Sequence, residues 1–416
     1  MCEVLLVRNR VTPITVWLFA TLFAVYELFI ANGFYGVSLQ LQQHDLNLSV
    51  NAIGSLAAIS SLVYALCQLP AGIMVSKFSI RIILTLSTIL VSIGMLIYSH
   101  ANDVEQLILA RVVIAIGSAF AFVSIAVLIG RWLDKDKFSL FFGLTQSMGN
   151  ISVVSANMFL PQIINFLHGW KHTSLVLAIV GFILAIAIGL IVKSSPASKS
   201  DSMQQTANRA SILELFKQLA ANKQFWLVTA YAGLLLGTLF NFGANWLIGF
   251  QGNYDSHSLA HSALVNSVMF LGVAVGNPVI GALSIKLQTR KKILLIGALA
   301  SLILLSILIL GPKLDANTAL ILYFLFGLSC SSAILSYSVI MEVLVPPLQG
   351  IGVGVCNTVV YLSGALLSTA IASIIRGEGA SLHNVLTVDK IAFSLFCVAV
   401  AIGFALSSVI KESFRK

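Results

Sequence analysis

The chain has 416 residues, of which 58% are apolar and 9% charged, and its mean hydropathy is +0.98. Soluble domains average roughly 25% charged residues, so a chain this apolar must use a bilayer as part of its solvent; soluble enzymes, nucleic-acid binders and disordered scaffolds are excluded. An outer-membrane barrel is disfavoured too, because its strands alternate polar and apolar residues, and the net charge of +9 takes its meaning from where the basic residues sit.

In chain order, apolar runs long enough to span a bilayer fall at about 14–37, 52–75, 82–99, 105–130, 139–165 and 173–193. The first is long enough to span rather than to be a cleaved signal. A polar stretch rich in Ser, Lys and Gln follows at 194–223, in which Ile212, Leu213, Leu215, Phe216 and Leu219 form the apolar face of a short interfacial helix. Six further runs fall at about 225–249, 262–285, 292–311, 317–341, 350–375 and 389–410. The expected organisation is an all-α membrane protein of twelve transmembrane helices: an N-terminal six-helix bundle (1–193), a linker (194–223) and a second six-helix bundle (224–416).

An even number of spans puts both termini on one side. That side carries nineteen of the Lys and Arg residues and the opposite side four, with Arg111 alone inside a span. The asymmetry predicts cytoplasmic termini in a bacterial inner membrane, with the positive face toward anionic lipid. The seven histidines (His44, His100, His168, His172, His257, His261, His383) all fall in or beside external segments and are read as interfacial. The five cysteines are scattered, with no disulfide framework or metal-ligand spacing. No metal, cofactor or nucleic-acid partner is expected, and the protein is expected to act as a monomer.

An offset of 209 residues relates the halves: Trp17 to Trp226, Asn32 to Asn241, Gly72 to Gly281, Lys77 to Lys286, Arg81 to Arg290, and Gly143 to Gly352. Parallel six-helix repeats suggest a pseudo-two-fold axis along the membrane normal with a central cavity between them.

With this layout the chain resembles the major facilitator superfamily over essentially its whole length. The family's loop signature between helices 2 and 3 is G-x-x-x-D-[RK]-x-G-[RK]-[RK]. Here Gly72, Lys77 and Arg81 are kept, while Ser76 replaces the acid, Ser79 the second glycine and Ile80 one basic residue. The second copy keeps Gly281, Lys286 and Arg290, with Ile285 at the acid position. The resemblance implies a gating role for these six residues. Leu109-Ala110-Arg111 with Gly117, Arg131-Trp132, Gly169-Trp170-Lys171, and Glu342 with Pro346-Pro347 and Gly350 resemble further family patterns. The resemblance implies secondary active transport by alternating access.

Two charged groups lie inside spans, Glu27 in span 1 and Arg111 in span 4. Charge in the membrane interior is costly, roughly 2.5–3.5 kcal/mol on insertion scales, and marks function by default. A carboxylate can take up and release a proton, and a guanidinium beside it favours the charged form. Glu27 is therefore the expected proton site, and Arg111 its partner or the anchor for a substrate carboxylate or phosphate. The family's proton-coupled sugar symporters similarly pair an acid on helix 1 with an arginine on helix 4. Glu342, at the end of span 10, reads as an interfacial or gating residue.

Uncharged amides and phenols at helical spacing are the expected substrate-binding set: Asn32, Tyr64, Gln68, Gln146, Asn150, Asn241, Asn245, Asn266, Tyr337, Asn357 and Tyr361. Spans 3, 6, 9 and 12 carry almost no polar residue larger than Ser or Thr and read as lipid-facing supports. The expected function is proton-coupled uptake of a small polar solute, with amino acids or other carboxylates favoured by Arg111. The alternative is a proton-driven exporter. Exporters of this family usually carry G-x-x-x-G-P-x-x-G-G in helix 5, a run that Gly143–Gly149 and Pro161 do not make. No enzyme motif is visible.

Overall fold

The computed structural model describes residues 12–195, 212–254, 258–377 and 385–414, and among these the regular structure is entirely helical. Six spans precede the linker: Pro13–Leu39, Val50–Lys77, Ile80–Ser99, Val104–Trp132, Phe138–Phe166 and Trp170–Ile191. Six follow it: Lys223–Gln251, Leu259–Lys286, Lys291–Leu310, Ala316–Val343, Pro346–Gly377 and Val385–Val409. Eleven of these helices are apolar and long enough to cross a bilayer by composition alone. Span 5 is the twelfth: its 29 residues are ample in length, but Thr145, Gln146, Ser147, Asn150, Ser152, Ser155 and Asn157 lower its hydropathy. His257 and His383 lie outside the described residues.

Helix starts follow local chemistry. Thr12, Ser49, Asp103, Asn222, Ser258 and Asp315 each cap a span by accepting a backbone N–H bond. Gly169 opens span 6 at φ 126°, a backbone region that favours glycine.

The linker-side end of the bundle is fixed by contacts between chain segments. Trp132 Nε1 donates to Lys193 O (2.8 Å), and Ser79 Oγ bonds Ser194 Oγ (2.7 Å). Gln224 Nε2 donates to Lys411 O (2.8 Å), joining the start of span 7 to the end of span 12. The interfacial helix is present over Ile212–Ala221, with Leu215 and Leu219 buried; the side chains of Ile212 and Leu213 lie outside the described residues.

Four spans are irregular, and they are repeat equivalents. Spans 1 and 7 each widen into a π-helical turn, at Phe29–Phe34 and Phe242–Trp246. Span 4 breaks between Ser118 and Ala121, and span 10 tightens at Ser331–Ile334. Irregular backbone at membrane depth is tolerated only where protein or a water-filled space satisfies it, so these four helices belong at the centre. Spans 3, 6, 9 and 12 present aliphatic outer faces, among them Ile82, Ile183, Ile303 and Ile402.

The repeat is also visible in packing. An added Cβ at Gly72 would lie 2.6 Å from Gly350 O, and one at Gly281 would lie 2.6 Å from Ser139 O. Gly143 packs on Asn277 O, and Gly354 packs on Gln68 O. Spans 2 and 8 thus keep the 209-residue offset, whereas spans 5 and 11 are offset by 211. The structural equivalent of Gly143 is Gly354 rather than Gly352. The Trp17–Trp226 match does not extend to environment either. Trp17 is buried and donates to Thr145 Oγ1 (2.9 Å), whereas Trp226 is 42% exposed.

Candidate functional site

The contacts between halves set the floor of the site. Nearest the linker, Ser139 Oγ donates to Gly281 O (3.1 Å), and the Gly72–Gly350 approach brings spans 2 and 11 to backbone contact. Gly130 of span 4 sits against the Met341 methyl of span 10. Deeper, Ser147 donates to Ala274 O across spans 5 and 8. Glycine permits these approaches because no side chain intervenes. This end of the bundle is closed.

Above that floor lies a polar bridge. Asn357 Nδ2 donates to Gln68 Oε1 (3.0 Å), and Tyr337 donates its hydroxyl proton to Asn357 Oδ1. Spans 2, 10 and 11 are thereby tied at mid-membrane. Phe142 of span 5 packs on Tyr337, with ring centroids 5.1 Å apart. Gln68 Nε2 has no partner. Tyr64 and Tyr361 meet edge-on across the halves at 5.1 Å. Tyr361 therefore points inward, yet it is 40% exposed, so an open space adjoins the two phenols.

Glu27 lies beside this space and is 1% exposed. The hydroxyl of Ser118, at the break in span 4, is the hydrogen-bonding neighbour of its carboxyl, while Oε1 has no partner of its own. Arg111 is 7% exposed. Its Nη1 donates to Ala31 O (3.0 Å) inside the π turn, and its guanidinium lies 3.8 Å from the Tyr35 ring centroid. A π turn leaves carbonyls free of the usual helical donor, which explains why span 1 can receive this arginine. Arg111 Nε and Tyr35 Oη are unpartnered.

The expected Glu27–Arg111 contact is not made: among the described residues the ion pairs are His44–Asp45, Lys137–Asp134 and Arg290–Glu342. The physical reason is the π turn, which offers Arg111 a neutral carbonyl and an aromatic face instead.

The amide set divides. Asn32 and Asn245 are exposed, as are Gly36 and Gly249 one turn further along the same faces. Exposed amides facing hydrocarbon would be costly, so these faces line the space between the halves toward the end away from the linker. Asn241 Oδ1 and Asn266 Oδ1 are buried without partners, and Gln146 and Asn150 are half-buried on span 5.

The gating set divides as well. Gly72, Gly281 and Arg290 lie at the closed end. Arg290 is fully buried; its Nη2 and Nε bond Glu342 Oε1 (2.9 and 3.1 Å), and its Nη1 bonds Ser284 Oγ (2.7 Å) and Ser139 Oγ (3.1 Å). Glu342 thus supplies the acid that the loop pattern lacks. Arg81 and Lys286 are exposed and Lys77 half-exposed, and none of their side chains joins the contact between halves among the described residues. That corrects their expected place in the gate. The reason is the missing acid: Ser76 Oγ bonds Gly72 O within its own helix and offers no charge to hold them.

Tyr35, Ser118, Ser139 and Ser284 were not legible as site residues. Their hydroxyls are common in apolar helices, and pairing alone gives them meaning. The π turns did leave a signal, an Asn and a Gly close together in otherwise apolar runs at Asn32-Gly33 and Gly243-Ala244-Asn245.

A helical bundle with a closed floor, a polar mid-membrane space and two buried unlike charges defines a membrane transporter rather than an enzyme. The chain belongs to the Major Facilitator Superfamily, whose model matches residues 17–368. It is 22% identical over 248 residues to the probable L-galactonate transporter of Escherichia coli (strain K12), a match covering 56% of this chain and 53% of that protein. The chain thus spans about half the length of that curated relative. Among solved structures, a variant of the E. coli fucose:proton symporter FucP superposes with a TM-score of 0.75 at 15% identity, covering 96% of this chain and 98% of the other. A bacterial homolog of the human lysosomal transporter Spinster, inward-facing and unoccupied, gives 0.61 at 17% identity, covering 96% of each chain. These similarities show the fold.

Proposed function

We propose that this transporter is a proton-coupled importer of a small polar carboxylate, such as an amino acid or a sugar acid. It would sit in a bacterial inner membrane with both termini cytoplasmic and work by alternating access between bundles 1–193 and 224–416. The observation that carries the reading is the separation of Glu27 and Arg111. Arg111 bonds the Ala31 carbonyl one helical turn from Glu27 on span 1, yet the two unlike charges do not pair, and each has an unpartnered polar atom.

In this reading Arg111 receives the substrate carboxylate, with Tyr35 orienting the guanidinium from its ring face. Asn32, Asn241, Asn245, Asn266, Gln146 and Asn150 are the hydrogen-bonding groups offered to hydroxyls or an amine. Their number suits a solute with several polar groups, and the name of the galactonate relative agrees with that. Glu27 carries the proton, beside the hydroxyl of Ser118 and near the Tyr64–Tyr361 pair that spans the halves. The bridge Gln68–Asn357–Tyr337 closes the cavity floor and parts when the cavity opens toward the linker side.

The test is a thermal-shift screen of purified protein against amino acids, sugar acids, organic acids, sugars, nucleosides and phosphates. Proteoliposome uptake of the stabilising solutes, with and without an imposed pH gradient, follows. Stabilisation by carboxylates and gradient-dependent uptake support the reading. Stabilisation by bulky apolar compounds alone refutes it and favours export.

A further inference from the structure

After Val409 the chain turns back beneath the second half. Glu412 Oε2 accepts from Thr289 Oγ1 (2.5 Å) and from Lys291 N (3.2 Å), and Glu412 Oε1 accepts from Arg290 N (2.9 Å). The carboxylate therefore caps span 9, whose N-cap residue Arg290 has no side-chain cap of its own. Glu412 Oε1 also accepts from the backbone N–H groups of Ser413 and Phe414 (3.0 Å each), which folds the segment into a tight turn.

That turn delivers two side chains to the Arg290–Glu342 pair. Ser413 Oγ donates to Glu342 Oε2 (2.6 Å), and the Phe414 ring centroid lies 4.7 Å from the Arg290 guanidinium. Arg290 is thus held on several sides at once: by Glu342, by Ser284, by Phe414, and through its backbone by Glu412. Its remaining contact, Nη1 to Ser139 Oγ, reaches span 5 of the other half (3.1 Å).

We propose that Glu412, Ser413 and Phe414 are positioning residues of the linker-side gate. They hold Arg290 in the one arrangement from which it reaches Ser139 across the halves. The gate is accordingly asymmetric. Its corner at spans 5, 8 and 10 is pinned by this cluster. At the corner of spans 2 and 11, the equivalent Arg81 is exposed, its guanidinium has no bonding partner among the described residues, and backbone packing of Gly72 on Gly350 does the closing. The contact with Ser139 makes the segment report to the other half.

The test uses the full chain with Cys2 and Cys67 replaced by Ser and spin labels on Lys135→Cys and Leu287→Cys, both exposed linker-side positions in different halves. Pulsed-EPR distances are measured in proteoliposomes for the parent, for Glu412→Ala/Ser413→Ala/Phe414→Ala, for Ser413→Ala alone, and for Ser139→Ala. The expected result is a rise of about tenfold in the ratio of long to short distances for the triple variant, the effect of losing roughly one charge-assisted hydrogen bond. Ser413→Ala should give a smaller rise of the same kind and serves if the triple variant does not fold. Ser139→Ala should give at least as large a shift, since it also removes the bond to Gly281 O, and adding the triple change to Ser139→Ala should add little, because the segment reaches the other half only through Arg290 and Ser139. Unchanged distances with a lowered melting temperature would show a purely structural segment and overturn the proposal. Full additivity with Ser139→Ala would overturn it too. Neither outcome depends on substrate or on proton coupling.

Discussion

Replacing Gly72 by Ala should open the linker side. An ideal Cβ at this position falls 2.6 Å from Gly350 O, 3.0 Å from Ile351 Cα and 3.1 Å from Gly350 C. All three are backbone atoms and cannot rotate away, so spans 2 and 11 must separate by roughly half an ångström or more, an overpacking strain of about 1–3 kcal/mol. Alanine's higher helix propensity applies in both conformations and cancels. The strain exists only while the halves touch, so it acts on the conformational equilibrium, moving it about 5–150-fold toward the linker-side-open state. The repeat predicts the same from Gly281→Ala, whose Cβ would lie 2.6 Å from Ser139 O and 2.8 Å from Ser139 C. The spin-label pair on Lys135→Cys and Leu287→Cys reads the shift as a loss of short distances. An unchanged or shortened distribution in both alanine variants would refute the claim that these glycines close the floor.

The remaining expectations concern the charges and the bridge. Glu27→Gln should abolish pH-gradient-driven uptake while leaving substrate-induced thermal stabilisation in place; intact gradient-driven uptake would remove Glu27 from proton coupling. Arg111→Lys should weaken carboxylate binding by about 10–150-fold, the range for a charge-assisted hydrogen bond, because an ammonium has neither the fork nor the plane that spans Ala31 O and the Tyr35 ring; titration calorimetry with the best carboxylate checks it. Asn357→Ala removes its bond to Gln68, which crosses the halves; with interhelical bonds averaging about 0.6 kcal/mol, it should raise the open-to-closed ratio about threefold in the same distance measurement. Glu412 has its carboxyl held below the ordinary 4.5: burial alone would raise it, but bonds from Thr289 and from the backbone N–H groups of Arg290, Phe414 and Lys291 outweigh that. A depressed carboxylate stabilises the fold above its unfolded value and loses that contribution as pH falls through the folded one. The melting temperature of the parent should therefore exceed that of Glu412→Gln near neutral pH and converge on it as the pH drops below about 4.5; a constant difference down to strongly acid pH would contradict the cap.

Much of the architecture could be read without coordinates because the bilayer imposes it. Apolar runs of spanning length, an even count and a lopsided distribution of Lys and Arg follow from the cost of burying charge and unpaired backbone. The 209-residue offset exposed the repeat, and the polar residues at helical spacing on span 5 set it apart from the other eleven spans in hydropathy. The individual charges were legible for the same reason: Glu27 and Arg111 stand out in spans that are otherwise uncharged apart from their ends.

What those charges touch was not legible. A π turn depends on the packing of span 1 against its neighbours, and it diverted Arg111 to Ala31 O and Tyr35. The loop pattern promised two similar gates, but the acid that completes the second comes from Glu342, 52 residues along the chain from Arg290, and its support from Ser413 lies 71 residues beyond that acid. The sequence by itself determined where the chain crosses the membrane and which groups are too costly to be there without purpose. Which of those groups meet was decided by the tertiary structure, because a hydrogen bond depends on about 3 Å of geometry that residue spacing along separate helices does not specify.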